Sequence, residues 1–401
     1  MPLKKTILKI HRWLGLTSGL VVFILGITGC IYAFIDELKP VVYRQRMFVE
    51  APVGAQRLPM NVIMEKAQAA VGSEYKLQLA EVPLGADRSV SFRTLKVNPE
   101  GLTYAAYMEY FYRVYVDPYT GKVLKIENTK WEFFNTVVNL HINLLLGPKV
   151  GGTIVNWSVI IFVVMLISGI VLWWPANKAA AKQRFRFKWK DSTKWKRKNY
   201  DLHNILGFYA MIVLLVISVT GLVISYQWVS NGIQWIANGG KPTVLPAPVF
   251  SDTTNVNVYS LEKILADAVV KAPEGTTFFV SVPKNDKAAV SVFARKDGKP
   301  LYKATRMQYD QHAGTMLTRR TFADMGNGER INAMNYDIHV GAVLGIPGKI
   351  LAFLASLIAA SLPVTGFYIW WGRRNKKQVV PHVNKNSHPK KVRQQEPVTL
   401  K

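Results

Sequence analysis

Four long apolar runs alternate along the chain with polar stretches of two different kinds. Residues 13–35 form 23 consecutive positions without a charge, and comparable runs occupy 154–174, 204–228 and 350–371. At about 1.5 Å of rise per residue, each run is long enough to cross a hydrocarbon core of about 30 Å. Four transmembrane helices are therefore expected. Two of the segments between them are long and change period. The stretches "MNVIMEKAQAAV" and "VYSLEKILADAVV" space their apolar residues as helices do, whereas "RSVSFRTLKV", "YFYRVYV", "TTFFVSV" and "AAVSVFA" alternate as strands do. Asp-Pro-Tyr-Thr-Gly at 117–121 and Asp-Gln-His-Ala-Gly at 310–314 read as hairpin turns. "GGKPTVLPAPVFSDTTN" is an irregular lead into the second long segment, and the tail after Arg374 is expected to be disordered.

The pattern is written twice. Setting "HRWLGLTSGLVVFILGITGCIYAF" over "HNILGFYAMIVLLVISVTGLVISY" aligns His11 with His203, Gly15 with Gly207 and Thr28-Gly29 with Thr220-Gly221, without a gap. Further on, "NLHINLLLG" meets "DIHVGAVLG", aligning His141 with His339, and "SGIVLWW" meets "TGFYIWW". The hairpin segments "VDPYTGKVL" and "YDQHAGTML" correspond as well. Parallel repeats of this kind place a shared site where the two halves meet.

Charge then orients the helices. Residues 1–12, 176–198 and 373–401 together carry +21 of the formal +26, and all three abut the same side of the four crossings. By the positive-inside rule that side is the cytoplasm, so both termini are cytoplasmic and the two long segments lie outside. This distribution argues against a nucleic-acid partner and is sufficiently explained by topology and attraction to anionic membrane lipid. The single cysteine, Cys30, permits no disulfide within the chain. "ITGC" resembles a lipoprotein cleavage site, but the residues that follow stay apolar, and the first helix reads as an uncleaved anchor.

Candidate chemistry rests on the histidines. His11, His203, His141 and His339 occupy corresponding positions at the membrane edges of the two halves, where a lone histidine would be a hydrogen-bonded interfacial ring. On the first helix, positions 11, 15, 18, 22, 26 and 29 share one face and are mostly small, and His203, Gly207, Ser218 and Gly221 repeat that face. Gly15 and Gly207, one turn inward from a histidine, clear space for a flat macrocycle, although plain helix packing through small residues explains them too. No Cys, Asp or Glu converges to complete a tetrahedral metal set, whereas a haem needs two axial ligands. Topology pairs His11 with His203 near the cytoplasm and His141 with His339 outside, giving two bis-histidine sites for two haems. "GPKVGG" after His141 breaks the helix, which places His141 on an interfacial or re-entrant segment.

Supporting residues have weaker signals. Arg12, Lys9 and Lys149 or Lys349 suit haem propionates, and equally lipid contact. Trp173, Trp174, Trp370 and Trp371 read as aromatic-belt anchors, and Asp201 and Asp337 as helix caps rather than partners of the nearby histidines. His312, His382 and His388 carry no ligand assignment.

"HRWLGLTSG", "YRVYVDPYTGKVLKI", "NLHINLL", "YDLHNILG" and "NYDIHVGAVLG" together resemble the PepSY-associated transmembrane proteins, a family that includes iron-regulated membrane proteins and ferric-siderophore reductases. The resemblance runs nearly to Trp371. It implies an all-α four-helix transmembrane bundle built from two tandem repeats, with two small α+β PepSY-like domains outside the membrane. The expected segments are 1–36 (terminus and first helix), 37–130 (first outer domain), 131–175 (His-bearing helix and second helix), 176–202 (basic loop), 203–228 (third helix), 229–330 (second outer domain), 331–372 (His-bearing segment and fourth helix) and 373–401 (basic tail). It further implies two b-type haems ligated by His11, His141, His203 and His339, in a multi-pass protein of the bacterial inner membrane with its PepSY-like domains periplasmic. The expected activity is that of a transmembrane oxidoreductase. Some relatives carry an appended flavodoxin or flavin-reductase domain that this length does not accommodate, so the electron donor is expected to be a separate cytoplasmic partner or a membrane quinol. The acceptor implied is a ferric siderophore, with another periplasmic redox partner as the alternative. A reading of another class, a non-catalytic membrane protein whose outer domains bind or inhibit a peptidase, remains open.

Overall fold

The computed structural model describes residues 2–175, 177–254 and 261–374. Most of the basic tail, with His382 and His388, lies outside the described residues. The four apolar runs form four helical segments long and apolar enough to cross a membrane: Leu3–Tyr32, Pro148–Trp173, Trp195–Ser225 and Ala342–Arg374. Leu20, Ile167, Ile212 and Leu354 point outward and are exposed, as side chains facing lipid would be. Val22, Phe162, Leu166, Ala210, Leu214, Ala355 and Ala359 meet inside. The first and fourth spanning helices pack most closely, because Gly26 has no side chain. A Cβ there would stand 2.7 Å from the Ser356 carbonyl oxygen and 2.8 Å from the Ala360 Cβ. Two spanning segments contain a π-helical turn, Pro148–Gly152 and Leu202–Leu206, the second including His203. Such turns recur at functional positions because they redirect side chains within an otherwise regular helix.

All the strands lie beyond one end of the bundle. They are β1 (Leu79–Pro83), β2 (Val90–Val97), β3 (Met108–Val116), β4 (Val123–Asn128), β5 (Thr277–Ser281), β6 (Val290–Arg295), β7 (Thr305–Tyr309) and β8 (Met316–Arg320). Their order, β4-β3-β2-β1-β5-β6-β7-β8, makes one antiparallel sheet of eight strands. This corrects the expected fold class. The protein is not an all-α bundle carrying two separate small domains: four helices stand under one continuous sheet to which both halves contribute. The joint is β1 against β5, in register from Leu79 opposite Ser281 to Pro83 opposite Thr277. Each would otherwise be an open sheet edge with unpaired N–H and C=O groups, and pairing them closes both. Alternation in a sequence marks a strand but does not name its neighbour, so the merger was not legible there.

Helices Met60–Val71 and Leu261–Lys271 cover one face of the sheet and share a single core, in which Ile63, Ala67, Phe92, Ile264, Ala268 and Phe278 are buried. The hairpins are built alike in the two halves. Asp117 accepts hydrogen bonds from the backbone N–H groups of Tyr119 and Thr120, and Asp310 from those of His312 and Ala313. Gly121 and Gly314 close these turns at φ of 68° and 64°, a left-handed conformation suited to glycine.

The other face looks toward the bundle. Asp36, just past the first spanning helix, lies 3.9 Å from Arg295 on β6, and Arg46 pairs with Glu127 on β4. Two bridging helices, Phe133–Asn143 and Asn327–His339, run from the sheet back to the bundle. Glu132 caps the first, accepting from the N–H groups of Phe134 and Asn135 at 2.9 Å. Glu329 closes the start of the second through Gly326. Sequence periodicity missed several shorter helices, among them Ile35–Val42, Lys178–Arg184, Trp195–Asp201 and Gln227–Ala237.

Candidate functional site

The histidine at the end of each bridging helix and the histidine near the basic end of each half arrive in pairs. His141 and His339 meet between the bundle and the sheet, with ring centroids 6.3 Å apart and planes inclined at 72°. His11 and His203 line one cavity of about 520 Å³ at the opposite end of the bundle.

All four rings are held in the same way. His11 Nδ1 is 2.8 Å from Ser168 Oγ, His203 Nδ1 is 2.9 Å from Thr365 Oγ1, His141 Nδ1 is 2.9 Å from Thr28 Oγ1, and His339 Nδ1 is 3.0 Å from Thr220 Oγ1. Each hydroxyl already donates its proton to a carbonyl one turn back in its own helix: Ser168 to Met165, Thr365 to Ser361, Thr28 to Ile24 and Thr220 to Val216. The hydroxyl must therefore accept from the ring, which places the imidazole proton on Nδ1. For His339 the carbonyl of Ile217, also 3.0 Å from Nδ1, requires the same, because a carbonyl can only accept. The remaining nitrogen, Nε2, then carries a lone pair in all four rings. A neutral imidazole in this tautomer, oriented by a hydrogen bond from its other nitrogen, is the form that ligates a metal ion.

A glycine follows each hydroxyl residue and forms the seat under the ring. A Cβ on Gly169 would lie 3.7 Å from His11 Cε1, on Gly366 3.3 Å from His203 Cε1, on Gly29 3.6 Å from His141 Cε1, and on Gly221 3.3 Å from His339 Cε1. The repeated Ser-Gly and Thr-Gly pairs visible in the sequence thus receive a histidine from another segment. This divides the small-residue face of the first helix into separate jobs. Gly15 borders the cavity, Gly26 lets the fourth helix approach, and Gly29 seats His141. Gly207 borders the cavity, with Leu362 Cδ2 3.4 Å from where its Cβ would be.

The cavity between His11 and His203 is apolar inside and cationic at its mouth. Val22, Phe162, Leu166, Phe208 and Met211 form walls, while Arg12, Arg373 and Arg374 stand at the rim. Its volume lies within the range of about 300–1,000 Å³ that buries a cofactor-sized ligand. Trp173 is 5% exposed and stacks on Phe208 at 3.8 Å between centroids, so it forms the cavity wall and is not a belt anchor. Trp370 also lines the cavity, whereas Trp174 and Trp371 are exposed at the bundle edge.

The sheet-side pair satisfies a distance test. A metal ion needs about 2 Å to each ligand nitrogen, and a ring nitrogen stands roughly an ångström ahead of its ring centre, so centroids 6.3 Å apart leave room for one ion between two imidazoles. Among the described residues no group of three His, Cys, Asp or Glu side chains could hold a metal ion. A planar macrocycle that asks the protein for only two nitrogens fits this donor set.

Several supporting residues are otherwise engaged. Lys149 pairs with Glu100, and Lys349, nearly buried, pairs with Glu37 at 2.9 and 3.0 Å, so both lysines already have carboxylate partners. Asp337 accepts from the N–H groups of Leu301 and Tyr302, capping a neighbouring turn, and burial pushes its carboxyl above the ordinary range. Asp201 binds Arg197 and the Trp189 indole. His312, in the β7–β8 turn, lies 3.0 Å from the Asp286 carbonyl in the β5–β6 connection. Cys30 is buried, with its thiol toward the Phe353 carbonyl of the fourth helix.

Comparison with curated proteins gives no match. The four spanning helices, the duplicated histidine seats and the sheet above them all fall within a match to the profile described as the PepSY-associated TM region, over residues 8–373, and the chain is therefore a member of the PepSY-associated transmembrane family.

Proposed function

We propose that the protein is a di-haem b-type membrane cytochrome that passes electrons through the bundle toward the sheet side, where the acceptor is a ferric siderophore. The observation that carries this reading is the common seating of the four histidines: each Nδ1 meets a hydroxyl, which leaves Nε2 to offer a lone pair, and the rings come in two pairs at opposite ends of one bundle. Bound haem would supply a one-electron iron couple at each end, which the side chains of this protein lack.

The chain's own residues set the conditions. His11 and His203 would hold one haem and His141 and His339 the other, with Ser168, Thr365, Thr28 and Thr220 keeping each Nδ1 proton in place. Phe162, Phe208 and Trp173 exclude water from the first site, and Arg12, Arg373 and Arg374 offer charge-assisted hydrogen bonds to carboxylates at its mouth. The basic segments flank the end away from the sheet, which supports a cytoplasmic placement for that end and a periplasmic one for the sheet in a bacterial inner membrane. Electrons would then enter from a cytoplasmic protein or a membrane quinol. Reducing ferric iron weakens its hold on hard oxygen donors, which would release Fe(II) from the chelate.

The test is a visible absorption spectrum of the detergent-purified chain, oxidised and dithionite-reduced, with haem quantified per polypeptide. Low-spin b-type bands and about two haems per chain, the number four axial histidines allow, are expected. A chain purified without haem from haem-replete cells would overturn the reading.

A further inference from the structure

The bundle-facing side of the sheet differs between the two halves in a way the repeat makes measurable. Strand registers superpose Arg113 on Arg306, Arg93 on Phe293, Leu79 on Phe279, Glu81 on Ser281 and Glu127 on Arg320. In the first half, Arg113 is neutralised. Its Nη1 lies 3.2 Å from Glu81, and Glu127 stands opposite it on β4. In the second half both acids are gone, one replaced by serine and the other by a further arginine, and two phenylalanines have been added.

Arg306 is left without a contact ion pair. Its Nη1, shielded from solvent, has no hydrogen-bond partner. Glu329 is bound by both guanidinium nitrogens of Arg320 at 3.0 and 3.1 Å and acts on Arg306 only through space. Burial, followed by the charge of Arg320, pulls the Arg306 guanidinium below its ordinary range. A half-buried cation in this state gains from any anion that reaches it. Beside it, Phe279 and Phe293 stand opposite each other on β5 and β6, both half-exposed, with centroids 6.2 Å apart. Arg306 lies 5.5 Å above the Phe293 ring, and Arg295 lies 5.3 Å above Phe279. The row thus presents two aromatic faces flanked by two guanidinium groups.

Its position ties it to the sheet-side histidines. Arg295 is 3.9 Å from Asp36, which also lies 3.8 Å from Lys349 at the start of the fourth spanning helix. Tyr32, one turn before Asp36, hydrogen-bonds Tyr336, one turn before His339.

We infer that Phe279, Phe293, Arg295 and Arg306 form the docking platform for the acceptor, and that the acceptor class it selects is an anionic metal chelate with planar aromatic donor arms, such as a tris-catecholate, in preference to a neutral tris-hydroxamate. The arms stack on the phenylalanines and the chelate's charge answers Arg306, since Arg295 already faces Asp297 at 3.4 Å and Asp36 at 3.9 Å. This rests on the electron-transfer reading for the role of the ligand, but the binding itself is separable from haem.

The experiment titrates the full-length protein in detergent with a ferric tripodal tris-catecholate and, separately, a neutral ferric tris-hydroxamate, following tryptophan fluorescence, with haem content measured on the same samples. The tris-catecholate is expected to bind about tenfold more tightly, a difference that one charge-assisted contact supplies. Arg306→Gln should remove most of that preference, Arg306→Lys should restore part of it, and Phe293→Leu should weaken the catecholate alone, all with unchanged haem content. Equal affinity for the two chelates, or a preference that survives both Arg306→Gln and Phe293→Leu, overturns the platform. Loss of haem with the preference intact overturns the cytochrome reading instead and leaves the platform standing.

Discussion

The two histidine pairs use one ring seat but hang from different supports. His11 and His203 lie on the spanning segments themselves, so the geometry of their pair follows from how the bundle packs. His141 and His339 lie on bridging helices whose other ends are fastened on the sheet side, through the Asn135 hydrogen bond to Tyr104 just before β3 in the first half and through Glu329 and Arg320 of β8 in the second. Leu144 and Leu145, both left-handed at φ of 57°, turn the chain after His141, and backbone bonds from Tyr104 to Leu145 and from Gly147 to Leu102 pin that turn. In the second half Gly341 makes the corresponding turn without such cost. The sheet thus helps to hold the rings of one pair, whereas the other pair is held by the spanning segments.

The largest expected effect separates the pairs outright. His203→Ala should reduce haem from about two per chain to about one and leave the sheet-side signal, while His339→Ala should leave the other. Redox difference spectra of the two variants check this, and identical residual spectra would show that the pairs are not independent. Next comes the strap between bundle and sheet. Lys349→Met leaves Glu37 and Asp36, both partly exposed, without their partner and should cost about 1–2 kcal/mol, measured by thermal unfolding in detergent.

A finer contrast lies in the hydroxyls. Thr365→Val removes the hydroxyl acceptor 2.9 Å from His203 Nδ1, weakening the ring as a donor, and should raise the midpoint potential of one haem with both retained. Thr220→Val should shift the other haem in the same direction and by a similar amount, since each ring keeps a backbone carbonyl partner, Leu362 for His203 and Ile217 for His339. Potentiometric titration reads both, and an unchanged potential in both variants would deny the hydroxyls their role. The smallest effect is expected at Lys149→Met, whose partner Glu100 is 76% exposed. Breaking that pair should change stability by less than about 1 kcal/mol in the same unfolding assay.

Much of this arrangement was legible before folding. The apolar runs named the spanning helices, and the duplicated "HRWLG" and "HNILG" segments named the corresponding histidines. The Thr-Gly and Ser-Gly pairs were visible as repeats, but their role was not. Gly29 and Gly221 were legible only as members of a small-residue helix face, whereas they meet a ring from a bridging helix. Trp173 was misplaced for a related reason: the end of an apolar run predicts an interfacial ring, and only Phe208 and Phe185 packed around it make it a cavity wall.

What the sequence alone determined is local or repetitive: which segments are apolar enough to cross a membrane, which alternate as strands, and which positions correspond between halves. Hydropathy and period act over a few residues, and a repeat announces itself without any contact. What only the tertiary structure decided is pairing at long range. Each histidine finds its hydroxyl 113 to 162 residues away, and β1 finds β5 across both the second and the third spanning segments. Those partnerships are chosen by closing open strand edges and by satisfying polar groups in a low-dielectric interior, energies that belong to the assembled chain and to no single stretch of it.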